Sequence, residues 1–387
     1  MKKVIVASDS FKGTLSSVRV YEIIKEVLTE RYEGIEVMGI PIADGGEGTV
    51  DAFLCASGGE KVYTTVKSPL MRDIESFYGL LPDGTAIIEL AAASGITIEK
   101  EPDAVNSSTF GTGQLILHAI ENGAKKVILG IGGSATTDGG MGCAAALGAK
   151  FLDKNGTPVP LSGKGLSMVE KVDLSGIYEA VKKAEITVLC DVDNPLFDKN
   201  GAAYVYSPQK GADEKTVEYL DKGLRNLAEK TKLATGRDFS SEKGAGAAGG
   251  MGFAMISFFN AKLMSGSDCI LSLTDFENKA KSADLVITGE GKMDFQSIMG
   301  KVPFAVAKKS GGTKVIAVVG VNEADICDIK ENGISEIYET NCLHLPFDEI
   351  KDKAVEMLRE TAYKIVFLKE KILLLCIDLF FILWLNI

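Results

Sequence analysis

"KKVIVASDSFKGTLSSVRVYEIIKEVLTERY", residues 2–32, decides the fold class. Its first part, KKVIVAS, is a continuous apolar run, the pattern of a strand buried on both faces of a parallel sheet. From Thr14 onward apolar residues recur every three or four positions, which predicts a helix, and Ser16 is placed to cap it. A polar loop, SDSFKG, joins the two. IEVMGIPIAD (35–44) reads as a second strand. The same grammar returns near the other end, in ADLVITGEG (283–291), TKVIAVVG (313–320) and ISEIYE (334–339), with helical stretches between. Five short apolar strands joined by helices predict a Rossmann-like, doubly wound parallel sheet.

The middle of the chain reads differently. YGLLPDGTAIIEL (78–90) and FLDKNGTPV (151–159) are hairpin-like, turning at PDG and at Asn155–Gly156. KVILGIGG and ITVLCDVD look like buried strands, and glycine-led helices lie among them. The expected architecture is α/β: a discontinuous Rossmann-like domain, 1–66 with 282–364, and a large inserted mixed α/β domain, 67–281. The active site is expected in the cleft between the two.

With 387 residues the chain is too long for one ordinary core. An apolar content of 46% and a charged content of 25% describe a globular protein, and 42 glycines point to loops that approach a ligand closely. The net charge of −11 argues against general nucleic-acid binding. Seven scattered cysteines form no CxxC pair, which disfavours a zinc or redox motif and suggests reduced thiols in a cytoplasm. The start offers no apolar core for a signal peptide. The segment 365–387 is an atypical hydrophobic tail. Its apolar run over 372–387 is interrupted by Asp378 and falls short of the ~20 residues of a spanning helix. No membrane partner is expected from it; an aberrant terminus is the expectation and an anchor the alternative.

Seven loops, mostly at predicted strand ends, carry the chemistry. The carboxyl edge of a parallel sheet is where open α/β folds bind ligands. SDSFKGTLSS (8–17) offers Ser10 and the point charge of Lys12. PIADGGEGTVDAF (41–53) sets Asp44 and Glu47 about a diglycine, a pair suited to Mg²⁺. NSSTFGTGQLILHAI (106–120) opens a helix with hydroxyls and glycines, an anion site in which Gly111 and Thr112 are candidates. His118, further along that helix, reads as a packing or surface residue. GIGGSATTDGGMG (130–142) has no Walker lysine. Its weak dinucleotide match, Gly130-x-Gly132-x-x-Ala135, would need Asp153 as the partner acid. Asp138 at the helix start favours metal-bound phosphate instead, with Gly132, Gly133, Ser134, Thr136 and Thr137 around it. The alternative is a helix capped by Asp138 at a packing site. VLCDVDNPLFDKNGAAYVYSPQKGA (188–212) ends a strand at Asp191 and Asn194; Asp191 suits a general base or a Mg²⁺ ligand. GAGAAGGMGFA (244–254), with Gly246, opens another helix. ITGEGKMDFQSIMGK (287–301) places Glu290 at a strand end.

Taken in order, DSFKG, PIADGGEGT, NSSTFGTGQLI, GIGGSATTDGGMG, CDVDNPL with SPQKGA, GAGAAGGMGF, SGSD and DLVITGEGKMD resemble the bacterial ATP-dependent glycerate kinase family, in its glycerate 2-kinase branch. The resemblance runs from about residue 1 to 364. It implies a two-domain α/β phosphotransferase that moves the γ-phosphoryl group of ATP to D-glycerate, usually at the 2-hydroxyl, with ATP and Mg²⁺ as cofactors. Roles follow as expectations. Asp191, Lys12 and Asp44 are catalytic. Asp191, Asp44, Glu47 and Asp138 are metal candidates. Gly132, Gly133, Ser134, Thr136, Thr137, Gly111, Thr112 and Gly246 hold phosphate or nucleotide. Ser10, Arg72, Asn194 and Glu290 bind substrate, Arg72 as a fork for the carboxylate. Which loop holds ATP and which glycerate stays open, as does a homodimer. The rivals are a nicotinamide-dependent oxidoreductase of small hydroxy acids and a non-catalytic sugar-acid sensor on the same scaffold.

Overall fold

The structure, a computed structural model, describes residues 3–298 and 301–365. In chain order its strands are β1 (Lys3–Ser8), β2 (Glu36–Gly39), β3 (Glu60–Lys67), β4 (Asp73–Leu80), β5 (Thr85–Glu89), β6 (Lys126–Gly130) and β7 (Lys150–Leu152). There follow β8 (Lys171–Asp173), β9 (Glu185–Leu189), β10 (Lys262–Met264), β11 (Leu285–Met293), β12 (Val315–Asn322) and β13 (Glu336–Glu339). They divide between two compact units, one formed by 1–42 with 271–387 and one by 43–270.

The discontinuous unit holds a five-stranded sheet in the order β13-β12-β11-β1-β2, every pair parallel. The apolar run read as a doubly covered strand is one, since Val4 to Ala7 are fully buried. The helix Ser17–Arg31 turns Val20, Ile23, Ile24, Val27 and Leu28 inward, and the Ser16 side chain accepts the Arg19 amide at its start. From β1 the chain crosses to β2 on one side; the later segment builds β11, β12 and β13 outward on the other. The order therefore reverses between β1 and β11. At such a reversal the connections leave a crevice above the carboxyl ends of the strands.

The continuous unit holds a six-stranded mixed sheet, β10-β9-β6-β5-β4-β3. Strands β5, β6, β9 and β10 pair in parallel, while β4 runs antiparallel to β3 and β5. The PDG turn joins β4 to β5 as expected, with Asp83 accepting the Thr85 amide at 2.9 Å. The turn at Asn155–Gly156 also forms, with Gly156 at a φ of 80°. Residues 43–66, assigned from sequence to the Rossmann-like domain, lie in this unit, and its other limit falls at Ile270 in place of 281. The physical reason for the first shift is packing within the sheet. β3 pairs with β4 along its length, and the helix Thr49–Ser57 is tied to β5 by the Val50 amide, which donates to Glu89 at 2.6 Å. The tail reading concerns 365–387, which beyond Ile365 lies outside the described residues. Among the described residues no helix is long and apolar enough to cross a membrane.

Candidate functional site

The sequence-predicted residues gather in two places, one in each unit. In the continuous unit, β6 and β9 are neighbours and end level with one another, Gly130 opposite Leu189. The loops that follow them bring 131–134 beside 190–192. The 44–46 turn stacks on the first of these loops through the Gly132 amide, which donates to the Gly45 carbonyl at 2.9 Å. A Cβ on Gly132 would stand 2.7 Å from the Gly46 Cα, so this contact requires glycine. The result is a cavity of about 380 Å³ lined by Asp44, Gly132, Ser134, Asp191, Tyr206 and Lys210, among others.

Two carboxylates, a main-chain turn and one cation thus share this cavity. Asp191 accepts the Gly266 amide at 3.3 Å, and Asp44 accepts the Gly46 amide at 3.1 Å. Lys210 is 1% exposed and donates to the Thr136 carbonyl at 2.5 Å. Burial pulls its ammonium down to about 7, against the attraction of Asp138. Lys210 was not singled out from sequence. Its signal was present only as part of SPQKGA, because a lysine between two turn residues reads as solvated until burial is known. Tyr206 was missed for the same reason. Asn194 buttresses it, accepting the Tyr206 hydroxyl at 2.6 Å and donating to the Asn200 carbonyl.

Several expected ligand residues prove to be structural. Asp138 is fully buried and accepts four hydrogen bonds, from the Thr109 amide and hydroxyl and from the Gly140 and Gly142 amides. One carboxylate therefore ties Thr109, the N-cap of the helix Phe110–Glu121, to the first turn of the helix Met141–Ala146. Its oxygens are thus committed within the fold, and it does not line the cavity. Burial pushes this carboxyl up, and the donations from Thr109, Gly142 and Gly140 pull it back. Thr112 is spent on the Ser94 hydroxyl, and Gly111 packs where a Cβ would meet the Lys67 carbonyl. Thr137 pairs with Ser207, and Thr136 with Ser134, both threonines fully buried. Gly246 packs against the Pro195 carbonyl. Glu47 accepts the Thr97 hydroxyl at 2.8 Å and does not line the cavity. Arg72 is an ion-pair partner of the buried Glu99, which also holds Ser68, so its fork is already engaged. Asp153 is a turn residue that accepts the Asn155 and Thr157 amides, which removes the acid the dinucleotide fingerprint needed. His118 packs as expected, its Nδ1 3.2 Å from the Tyr78 hydroxyl.

The other cluster, Ser10, Lys12 and Glu290, belongs to the discontinuous unit. It lines a cavity of about 480 Å³ above the carboxyl ends of β1, β11 and β12. Glu290 is 6% exposed, and burial is the main cause that raises its carboxyl to about 7.

The comparisons with known proteins bear on both clusters. The model of the glycerate kinase family matches residues 4–369. The chain belongs to the glycerate kinase family. Its similarity to the glycerate kinase of Bacillus subtilis (strain 168) is 38% identity, over 93% of this chain and 96% of that one. To the glycerate 2-kinase of Escherichia coli (strain K12) it is 42%, over 87% and 90%. Among solved structures, a candidate glycerate kinase 2 from Salmonella typhimurium LT2 matches with a TM-score of 0.81 and 37% identity, covering 94% of this chain and 96% of that one. The fold class expected from sequence, α/β with a Rossmann-like parallel sheet, is that of a glycerate kinase family member. The motifs that carried the resemblance sort by unit. DSFKG and GEGKMD line the larger cavity; the Asp44 turn, GIGGS, CDV and SPQK line the smaller.

Proposed function

We propose that this chain is an ATP-dependent glycerate kinase that transfers the γ-phosphoryl group of ATP to D-glycerate, with 2-phosphoglycerate as the favoured product. The observation that carries the chemistry is the smaller cavity, where Asp44 and Asp191 meet the Gly132–Ser134 main chain and the buried ammonium of Lys210. Phosphoryl transfer asks a protein for positioning and charge neutralisation more than for covalent help.

Asp191 takes the proton of the attacking hydroxyl as its oxygen bonds to phosphorus, and the bond to the bridging oxygen of ADP breaks. Lys210 holds an anionic oxygen in the cavity from a position that water does not reach, where its charge counts for more than at the surface. Amides of the 132–134 turn hold the acceptor end. Asp44 and Asp191 also suit Mg²⁺. They are hard oxygen donors on one cavity, and this ion commonly takes one or two carboxylates with substrate phosphates completing its shell. When bound, Mg²⁺ neutralises charge on the phosphate oxygens.

The test is ADP release on adding D-glycerate, read through a coupled assay, with the phosphomonoester position read by NMR. Mg²⁺-dependent ADP release with 2-phosphoglycerate as product is expected. Absence of ADP release, with turnover of a nicotinamide cofactor in its place, would sink the proposal.

A further inference from the structure

The discontinuous unit contains a cavity that the phosphoryl chemistry above does not use. It lies where the strand order reverses, above β1 and β11, the position at which doubly wound sheets bind nucleotides. Its walls are of two kinds. Phe11, Leu345, Phe347 and Met357 give an apolar side, and Lys12 and Glu290 give a polar one. Phe347 is 51% exposed although its ring seats against Gly13, within 2.8 Å of where a Cβ would stand. With Leu345 37% exposed beside it, the ring leaves apolar surface on the cavity wall. Deeper in, one carboxylate oxygen of Glu290, Oε1, is buried without a hydrogen-bond partner. A buried acceptor left so carries a desolvation penalty, which a ligand N–H or O–H would relieve.

We infer that this cavity is a nucleoside site, taking the base and ribose of the phosphoryl donor between the Phe347 wall and the Glu290 carboxyl. The inference rests on the kinase reading for its donor. A three-carbon hydroxy acid has no apolar surface with which to cover Leu345, Phe347 and Met357. A base and its ribose do, and their N–H and O–H groups match the vacant acceptor. Lys12, at the helix-ward end of the loop after β1, supplies charge for the phosphate chain.

The experiment is photolabelling of the full chain with 2-azido-ADP, followed by peptide mass spectrometry. Label in peptides containing 9–14, 290–294 or 340–357 is expected. Label confined to peptides containing 131–134, 189–192 or 206–210 would overturn the site. A second arm uses Glu290→Met and Phe347→Ser, the first of which keeps volume and removes a buried charge. In each, KM for ATP is expected to rise roughly tenfold, the loss of one good contact, with KM for D-glycerate unchanged. A rise confined to the D-glycerate KM would assign the cavity to the hydroxy acid and contradict the inference. Label at the expected peptides in a chain that forms no phosphoglycerate would sink the reaction and leave the site standing.

Discussion

Asp138 and Glu290 are both buried carboxyls beside glycine-rich loops, and they do opposite things. Asp138, in the continuous unit, accepts four hydrogen bonds, all from within the fold. Glu290, in the discontinuous unit, keeps one buried oxygen without a partner and lines a cavity. The first spends its charge on joining two helix starts. The second holds its burial cost in place, and a ligand can relieve it. Their satisfaction, more than their burial or their motif, separates a fold residue from a binding residue. The same contrast sorts the smaller cavity, where Asp191 and Asp44 face the space while Thr136 and Thr137 are held by Ser134 and Ser207.

The largest effect should come from Asp191→Asn. If a cavity-facing carboxylate does the chemistry, kcat falls by about 10²–10⁴, the usual worth of a general base, while the melting midpoint holds. Steady-state kinetics beside a thermal melt checks this; near-normal kcat would remove Asp191 from the mechanism.

A smaller effect concerns pH. The Glu290 carboxyl rises from its ordinary 4.5 to about 7, chiefly through burial, with Asp9 and Asp294 adding to the rise and Ser297 and Lys301 opposing it. Between those values the folded chain holds more protons than the unfolded one. Stability from this group is complete below about 4.5 and is lost as pH rises through about 7, by up to ~3 kcal/mol. Glu89, also raised to about 7 by burial, adds a loss of the same sign. Denaturant melts of wild type and Glu290→Gln at pH 5 and pH 8 isolate the Glu290 part. The variant should lose less stability between the two, and equal losses would mean that Glu290 is not buried as described.

The parallel sheet was legible from residues 2–32 because a strand buried on both faces and an amphipathic helix each leave a periodic trace. The hairpins were legible because Asp-Gly and Asn-Gly turns need their own residues. The unit boundary was not, since it depends on which sheet β3 joins, and pairing between strands leaves no local mark. Asp44, Asp191, Ser134 and Lys12, which line the two cavities, were legible because each stands in a loop that follows a strand, while Glu290, read as a strand-end residue, lies within β11. Asp138, Arg72, Gly111 and Thr112 were misassigned because a sequence shows a donor or acceptor without showing who already holds it. Lys210 went unseen for the converse reason. Nothing in Pro-Gln-Lys-Gly tells a buried ammonium from a solvated one.

The most direct test of this contrast is one thermal melt, run with and without ADP and Mg²⁺, on wild type, Asp138→Asn and Glu290→Met. Asp138→Asn turns an amide toward backbone N–H donors and should lower the midpoint by several degrees, for a loss of about 2–3 kcal/mol, while keeping the upward shift that ADP gives wild type. Glu290→Met, which removes a buried carboxyl, should keep or raise the midpoint and lose most of the ADP shift. The reverse pattern, with ADP stabilisation lost in Asp138→Asn and retained in Glu290→Met, would contradict the account.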